Sequence, residues 1–398
     1  MLNTYIVKIE DACYNEIVEK RMKKSLKKCD KLLLFLTITL SLYGLFNLVT
    51  ASSREAVTHI NQSMFYYFFR HFIILVVGYV GGLIALNMPF KKYSKFLVLL
   101  FVIVLGLNTW LVLKGSSTRG ANNWIPLGFF NLQPSEIAKP VVIVCLAFLF
   151  DKFSDALQNP KIKHGDRIWT IIIVGVLLPA VVFLQKDLGT AIILMTIFIV
   201  MFLFSPILLK DKIKTILLVS IIGIVGIFIM YSIQGYILSN AQMARFDYRD
   251  PCEKYSTSGY QICNAYIAIN KGGLFGVGIG KSSQKYSYIP EPHTDMVFAI
   301  IAEENGLLGV TLIFIAYLVL IYRILRIAKL STTLKGRYIA LGVATYIFMH
   351  IFINLGGLFG LIPLTGVPLP FLSYGGSFTL SLIISLMIVE RVHIESVE

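Results

Sequence analysis

Long apolar runs, separated by short polar segments, make up most of this chain of 398 residues. An α-helix needs about 20 mainly apolar residues to cross the hydrocarbon core of a membrane, and runs of that length recur from end to end. The runs are continuous and do not alternate, which argues against a transmembrane β-barrel. The pattern therefore predicts an all-α polytopic membrane protein with about ten transmembrane helices, at approximately 32–50, 68–89, 96–114, 135–151, 168–185, 188–205, 214–234, 306–326, 338–358 and 372–391.

The overall composition agrees with this fold class. The chain is 56% hydrophobic and 15% charged, with a mean hydropathy of +0.75, and a soluble domain of this size would expose too much apolar surface. A formal charge of +14 would suggest nucleic acid as a partner of a soluble protein. Because the basic residues cluster in short loops and no nucleic-acid-binding motif is visible, we expect contact with anionic membrane lipid and no nucleic acid.

The distribution of basic residues also predicts the orientation in the membrane. About two thirds of the 36 Lys and Arg residues fall on one side if the N-terminus is cytoplasmic, as the positive-inside rule requires. Both termini are then cytoplasmic, and tails at 1–31 and 392–398 flank a membrane domain at 32–391. A large extracellular loop, at about 235–305, lies between spans 7 and 8. Met22 precedes basic residues that would flank the first span, so either Met1 or Met22 could be the start.

A polar stretch from Gly272 to Gly306 interrupts the apolar pattern. Within it, Glu303 and Glu304 stand in a mostly apolar run, and two carboxylates inside lipid would be costly. We therefore predict a short helix or re-entrant segment at roughly 294–304, followed by a true span that begins near Gly306. Such a break is tolerated only where it lines a cavity or packs on protein.

Asp295, in the same stretch, has two interpretations. It could be a helix N-cap or first-turn carboxylate that complements the helix dipole, and sequence physics alone slightly favours this. It could also be a general base at the membrane surface, able to accept a proton from a substrate hydroxyl. The nearby run GVGIGKS does not complete a nucleotide-binding phosphate loop, because Phe275 stands where the first glycine is needed.

Other charged residues lie at the predicted outer ends of helices. Glu136 and Lys139 are three residues apart, so they can share a helix face and pair. Alternatively, Lys139 would be a fixed cation for a diphosphate near the headgroup plane. Asp187 begins another helix and is either a cap or a functional residue. Further cations on the external side, individually unspecific, are Arg70, Arg119 and Arg245.

Two of the five cysteines, Cys252 and Cys263, fall in the large outer loop. An oxidising environment there would permit a disulfide between them. No CxxC spacing and no cluster of cysteine and histidine predicts a metal site.

Five separated motifs, taken together, resemble one family. GANNWIPLG, QPSEIAK, QKDLGTA, the run GGLFGVGIGKSSQKYSYIPEPHTD with AEENG, and PLTGVPLPFLSYGGS occur in the order typical of the FtsW/RodA/SpoVE (SEDS) family, over residues 32 to 391. The resemblance implies a ten-helix peptidoglycan glycosyltransferase that polymerises lipid II at the extracellular face of the bacterial cell membrane. Among the family's branches, the SYIPEPHTDMVFAIIAEENG block favours an FtsW-like member that serves septal cell-wall synthesis.

The resemblance also implies roles for individual residues. Asp295, in the HTD motif, matches the family's essential acid, proposed to deprotonate the acceptor sugar, which then attacks the donor with inversion and expels undecaprenyl diphosphate. Glu136 and Lys139 match a charged pair that lines the cavity, and cations such as Arg70 and Arg245 would offset the diphosphate charge. The matched motifs add Gln133, Asp187 and His293 as substrate-binding candidates.

The family further implies partners and leaves the cofactor open. A class B penicillin-binding protein would be the transpeptidase partner, alongside lipid II, the nascent glycan strand and other division or elongation proteins. A divalent cation such as Mg²⁺ or Mn²⁺ could assist, although nothing in this sequence specifies its ligands.

The sequence departs from the family pattern at a few positions. Asn123 stands where many members carry an arginine before the tryptophan, and Arg119 lies four residues earlier. Lys186 replaces the proline of the usual QPDLG run. The HTD and SExxK motifs are intact, so we retain the catalytic interpretation.

Three alternatives stay open. A RodA-like member of the same family would serve elongation. A lipid-precursor flippase would suit ten spans around a polar cavity, although transporters often show inverted repeats and none is evident here. A non-catalytic division scaffold would leave Asp295 dispensable for polymer synthesis.

Overall fold

The computed structural model describes residues 25–58, 60–114, 123–128, 130–159, 165–235, 243, 250–255, 259–286, 289 and 292–397. The secondary structure of this part is helical apart from a two-stranded hairpin, β1 (Ile125–Pro126) with β2 (Asn131–Leu132). The helices are α1 (Lys31–Thr58), α2 (Tyr66–Asn87), α3 (Phe90–Lys114), α4 (Pro134–Gln158), α5 (Gly165–Leu184), α6 (Leu188–Leu203), α7 (Leu209–Gln234), α8 (Tyr260–Gly272), α9 (Val297–Leu330), α10 (Leu334–Leu358) and α11 (Gly376–Val397).

A helix is present at each of the ten predicted spans. Seven of the described helices are long and apolar enough to cross a membrane, namely α1, α2, α3, α5, α9, α10 and α11. Helix α6 is apolar but has 16 residues, and α4 carries acidic and basic residues at both ends. The chain is therefore a helical multi-pass membrane protein.

Helices α10 and α11 lie at the centre of the bundle. In their most apolar windows, 72% and 78% of the residues are buried, against 22% in α3. Helix α10 packs against α9, α4, α6 and α11, so it contacts most elements that carry the polar motifs. Helix α7 is the opposite case, because nearly all its described side chains are exposed. An apolar helix with such a surface requires lipid around it.

The predicted break at Gly306 is confirmed. Gly306 has φ of 66° and ψ of −173°, so α9 consists of two helical parts that meet at this residue. Both carboxylates before the break are buried against the loop that follows α8. Glu303 accepts the Ser283 amide at 2.9 Å, and Glu304 pairs with Lys285 Nζ at 3.1 Å. The break thus packs on protein, and both carboxylates are buried there rather than exposed to lipid.

The loop that follows α8 packs closely against the break in α9, backbone against backbone, at Gly276. Gly276 has φ of +80°, and a Cβ at this position would lie 2.2 Å from the Glu304 carbonyl oxygen. We expect Gly276→Ala to combine backbone strain of about 1–3 kcal/mol with a steric clash, and to lower the melting temperature of the detergent-purified protein strongly. Gly280→Ala is the matched control, since Gly280 has φ of +77° but open space around its Cβ position. Equal losses in the two variants would contradict this account.

The loop between α7 and α9, predicted to be extracellular, contains α8, a helix that the hydrophobic pattern did not predict. Helix α8 packs against α9, and a Cβ at Gly272, at the end of α8, would lie 2.1 Å from the Ala302 carbonyl oxygen. In the structure, Cys252 and Cys263 form a disulfide that joins the segment before α8 to its first turns. The bridge therefore fastens the 250–255 segment to a helix that is itself anchored on α9.

We predict that this disulfide is present in protein isolated from an oxidising compartment. In a variant with Cys13, Cys29 and Cys145 changed to serine, a maleimide reagent should label Cys252 and Cys263 only after reduction. Replacing the pair by serine should cost about 2–3 kcal/mol, as expected for a short closed loop. Full labelling of both thiols without reductant would disprove the prediction.

Candidate functional site

Asp295 lies in the turn before α9, with its side chain half-buried. The N-cap of α9 is Met296, and no side chain caps the helix there, so the predicted capping role of Asp295 is not what the structure shows. Its Oδ1 accepts a hydrogen bond from Thr294 Oγ1 at 3.1 Å, and its backbone carbonyl accepts one from Asn354 Nδ2 at 2.8 Å. The backbone of Asp295 is thus anchored on α10 while its carboxylate reaches the partly open surface.

His293 is buried beside Asp295 in an aromatic cluster. Its ring centroid lies 4.3 Å from that of Tyr67 and 5.6 Å from that of Tyr374, and its carbonyl accepts the Tyr374 amide at 2.9 Å. His293 Nδ1 lies 3.1 Å from Glu55 Oε2 at the end of α1. These contacts fix the backbone of the HTD motif, so His293 has a supporting position rather than an exposed one.

The predicted pair between Glu136 and Lys139 forms in the first turns of α4. Lys139 is fully buried, and its Nζ lies 2.7 Å from Glu136 Oε1 and 2.9 Å from His350 Nε2. His350 Nδ1 lies 3.1 Å from the Pro368 carbonyl oxygen, which can only accept. Nδ1 therefore carries the hydrogen, and Nε2 accepts from the Lys139 ammonium. Because Lys139 has no exposed surface, this geometry favours an internal electrostatic role over direct contact with a diphosphate.

Asp187 forms hydrogen bonds with a second group of polar residues, separate from Glu136, Lys139 and His350. Its Oδ1 caps α6 by accepting the Thr190 amide at 3.2 Å, so the capping interpretation of Asp187 agrees with the structure. Its Oδ2 accepts Asn123 Nδ2 at 2.7 Å and Gln133 Nε2 at 2.8 Å. Asp187 is also close enough to interact electrostatically with Glu136. Gln133, just before α4, and Asp187, at the start of α6, are joined in this way, and Asn123 is the second amide donor to Asp187.

Arg70 lies on α2 at the same end of the bundle. Its guanidinium donates to Tyr66 Oη at 2.7 Å and stands over the Tyr66 ring at 5.1 Å from the centroid. It is partly exposed, and its charge acts on Tyr374 of the cluster around His293. Of the predicted cations, Arg119 and Arg245 lie outside the described residues.

The structure therefore brings most of the predicted residues to one end of the bundle, and adds several that sequence reasoning missed. The added residues are Glu55, Tyr67, His350, Asn354 and Tyr374. For His350 and Asn354 the sequence did contain a signal. They are polar residues four positions apart in the mainly apolar helix α10, and polar residues in spans face the bundle interior or a cavity.

The arrangement offers a hydrogen-bond-anchored carboxylate near the surface, a buried ammonium and a partly exposed guanidinium. It can accept a proton at Asp295 and stabilise negative charge nearby. Among the described residues, no group of three or more His, Cys, Asp or Glu side chains could hold a metal ion.

Fold and site together define a multi-pass helical membrane protein with a cluster of charged and polar side chains at one end of its helix bundle. The sequence profile of the FtsW/RodA/SpoVE family, described as cell cycle protein, matches residues 30–398. The chain therefore belongs to the FtsW/RodA/SpoVE family.

Individual relatives agree with this assignment. The probable peptidoglycan glycosyltransferase FtsW of Bacillus subtilis (strain 168) is 34% identical over 378 residues, which cover 93% of this chain and 92% of the relative. Stage V sporulation protein E of the same strain is 33% identical over 355 residues, covering 87% and 92%.

Solved structures share the fold. The rod shape determining protein RodA of Thermus thermophilus has a TM-score of 0.64 at 23% identity, covering 92% of this chain and 96% of that chain. A chain of a peptidoglycan synthase complex that coordinates polymerization and crosslinking has a TM-score of 0.68 at 22% identity, covering 92% and 97%.

Proposed function

We propose that this chain is a peptidoglycan glycosyltransferase that polymerises lipid II into glycan strands during septal cell-wall synthesis. The observation that carries the proposal is Asp295, a partly exposed carboxylate anchored through its backbone on α10. It occurs in a chain that is 34% identical to a protein named as a probable peptidoglycan glycosyltransferase FtsW. That name also favours the division role over elongation.

In the proposed reaction, Asp295 removes the proton from a hydroxyl of the acceptor sugar. The hydroxyl oxygen forms a bond to the anomeric carbon of the donor from the face opposite the diphosphate. The bond between that carbon and the diphosphate oxygen breaks, so the configuration inverts and undecaprenyl diphosphate leaves with the electron pair. Asp295 then returns its proton to solvent, which its partial exposure permits.

Negative charge on the leaving diphosphate requires nearby cations. Arg70 is partly exposed at the same end of the bundle and is suited to contact it. Lys139 would act from within the protein, through its electrostatic field and through its contacts with Glu136 and His350. We retain Arg119 and Arg245 as further candidates, and Gln133, Asp187 and His293 as residues that shape the site. A divalent cation would need ligands from the substrate, and no step is derived through it.

The topology follows from the same proposal. Ten spans with both termini in the cytoplasm, the orientation that the basic-residue distribution favours, would put the site at the extracellular face of the cell membrane. Because a chain of similar fold belongs to a peptidoglycan synthase complex that coordinates polymerization and crosslinking, we propose a class B penicillin-binding protein as the transpeptidase partner.

Incubating the purified chain and its candidate transpeptidase with labelled lipid II, with and without a divalent cation, tests the proposal. Glycan polymer on a gel is the expected result. Absence of polymer in all arms, from folded protein, would contradict it. A vesicle scrambling assay on the same preparation then separates the flippase alternative, which predicts movement of labelled lipid II between leaflets, from the scaffold alternative, which predicts neither result.

A further inference from the structure

Side chains of α9 and α10 bind three backbone carbonyls of the segment between α10 and α11. Residues 363–369 have no regular secondary structure, and the prolines in this region lack an N–H donor. Their buried carbonyls therefore need partners from elsewhere. Val367 O accepts Asn354 Nδ2 at 2.8 Å, Pro368 O accepts His350 Nδ1 at 3.1 Å, and Pro370 O accepts Tyr317 Oη at 2.5 Å.

Two of these donors also reach the candidate active centre. Asn354 uses the second hydrogen of its amide to bind the Asp295 carbonyl at 2.8 Å. His350 uses its other ring nitrogen to accept from the buried Lys139 ammonium at 2.9 Å. The two residues are four apart on α10 and so lie on one face of the helix. Both are almost fully buried, so water does not compete for these bonds.

The 363–374 segment, which these two residues hold, lies beside the Asp295 carboxylate. A Cβ at Gly366, which has φ of +74°, would lie 3.9 Å from Asp295 Oδ2. Further along, the Tyr374 amide binds the His293 carbonyl, two residues before Asp295. A shift of this segment would therefore move the surroundings of Asp295 on two sides.

We infer that His350 and Asn354 are positioning residues, which hold the 363–374 segment and, through it, fix the Asp295 carboxylate relative to the buried Lys139. This inference rests on the proposed function for its kinetic consequence. On this inference, α10 joins the SExxK motif to the HTD motif, although α10 itself contains neither motif.

The two nitrogens of His350 can be tested separately. In His350→Asn, the amide nitrogen stands near the Nδ1 position and keeps the bond to Pro368. In His350→Gln, the amide oxygen stands near the Nε2 position and keeps the bond to Lys139. We expect kcat for lipid II polymerisation to fall ~10–100-fold in His350→Gln and in Asn354→Leu, as displacement of a reacting group does, with KM nearly unchanged. His350→Asn should recover most of the rate.

Asn47→Leu is the matched control, because Asn47 is a buried asparagine whose amide binds the Tyr43 carbonyl of its own helix. It should alter kcat little. Equal loss of kcat in the His350→Asn and His350→Gln variants, or a kcat in Asn354→Leu that matches Asn47→Leu, would overturn the inference.

Hydrogen–deuterium exchange gives a reading that does not need activity. The amides of Leu369, Ser373 and Tyr374 are all hydrogen-bonded in this segment. Their exchange should rise ~10-fold or more in Asn354→Leu and His350→Gln but not in Asn47→Leu, since local opening governs exchange. Unchanged exchange would overturn the inference even in an active enzyme. If the wild-type chain makes no polymer, the proposed function fails, and the exchange result still decides whether α10 holds the segment.

Discussion

Asp295→Asn should lower the rate of glycan polymerisation about 10³-fold, within the range that a general base contributes. The amide has nearly the shape of the carboxylate, and the backbone bond from Asn354 to residue 295 does not involve the side chain. We therefore expect the variant to fold and to melt near the wild-type temperature. The rate is measured as polymer formed from labelled lipid II per folded molecule.

Asp151→Asn is a suitable control for this experiment. Asp151 is a partly exposed aspartate on α4 that lies 3.9 Å from Lys335, so its replacement removes a charge remote from the HTD motif. Its rate should match the wild-type rate. An Asp295→Asn enzyme as fast as the Asp151→Asn enzyme would rule out Asp295 as the base.

Lys139→Met should be the most destabilising of the charge substitutions. It leaves Glu136 buried without its cation, and Glu136 Oε2 already has no hydrogen-bond partner among the described residues. Breaking a buried ion pair on one side costs about 3–5 kcal/mol. The melting temperature in detergent should fall clearly, and polymerisation should fall with it. Lys335→Met, which breaks a partly exposed contact, should cost at most about 1 kcal/mol.

The double variant Glu136→Gln/Lys139→Met separates stability from activity. Because it leaves no unpaired buried charge, it should regain most of the lost stability. Its polymerisation rate should stay at least ~10-fold below wild type, since the cation that would favour the leaving diphosphate is gone. Recovery of both properties would show that the Lys139 charge has no part in the reaction.

The positions of the helices could be predicted from the sequence, but their ends could not. The first apolar run ends near residue 50, yet α1 continues to Thr58 and places Glu55 beside His293. Hydropathy reports where a chain leaves lipid, whereas a helix ends where its backbone bonds end. Likewise, α11 continues to Val397 through residues that the pattern assigned to a polar tail. Helix α8 is short and not uniformly apolar, so the pattern did not predict it.

Within the site, local contacts were predictable and distant ones were not. Glu136 and Lys139 are three residues apart, and a helix alone brings them together. His350 is 211 residues from Lys139, and only the packing of α10 against α4 joins them. The break at Gly306 was predictable because two carboxylates in lipid are costly, but the residues that satisfy them, such as Lys285, come from the fold.

Inverting transfer of sugars from lipid II is the reaction proposed for this chain. The most direct measurement is the product formed by the purified chain with its candidate transpeptidase, compared before and after digestion with a muramidase specific for the β-linkage. Inversion at an α-linked diphosphate gives a β-linked polymer, so we expect a ladder that the muramidase removes. Polymer that resists this enzyme would contradict inversion, and a folded, monodisperse preparation that forms no polymer would contradict the glycosyltransferase itself.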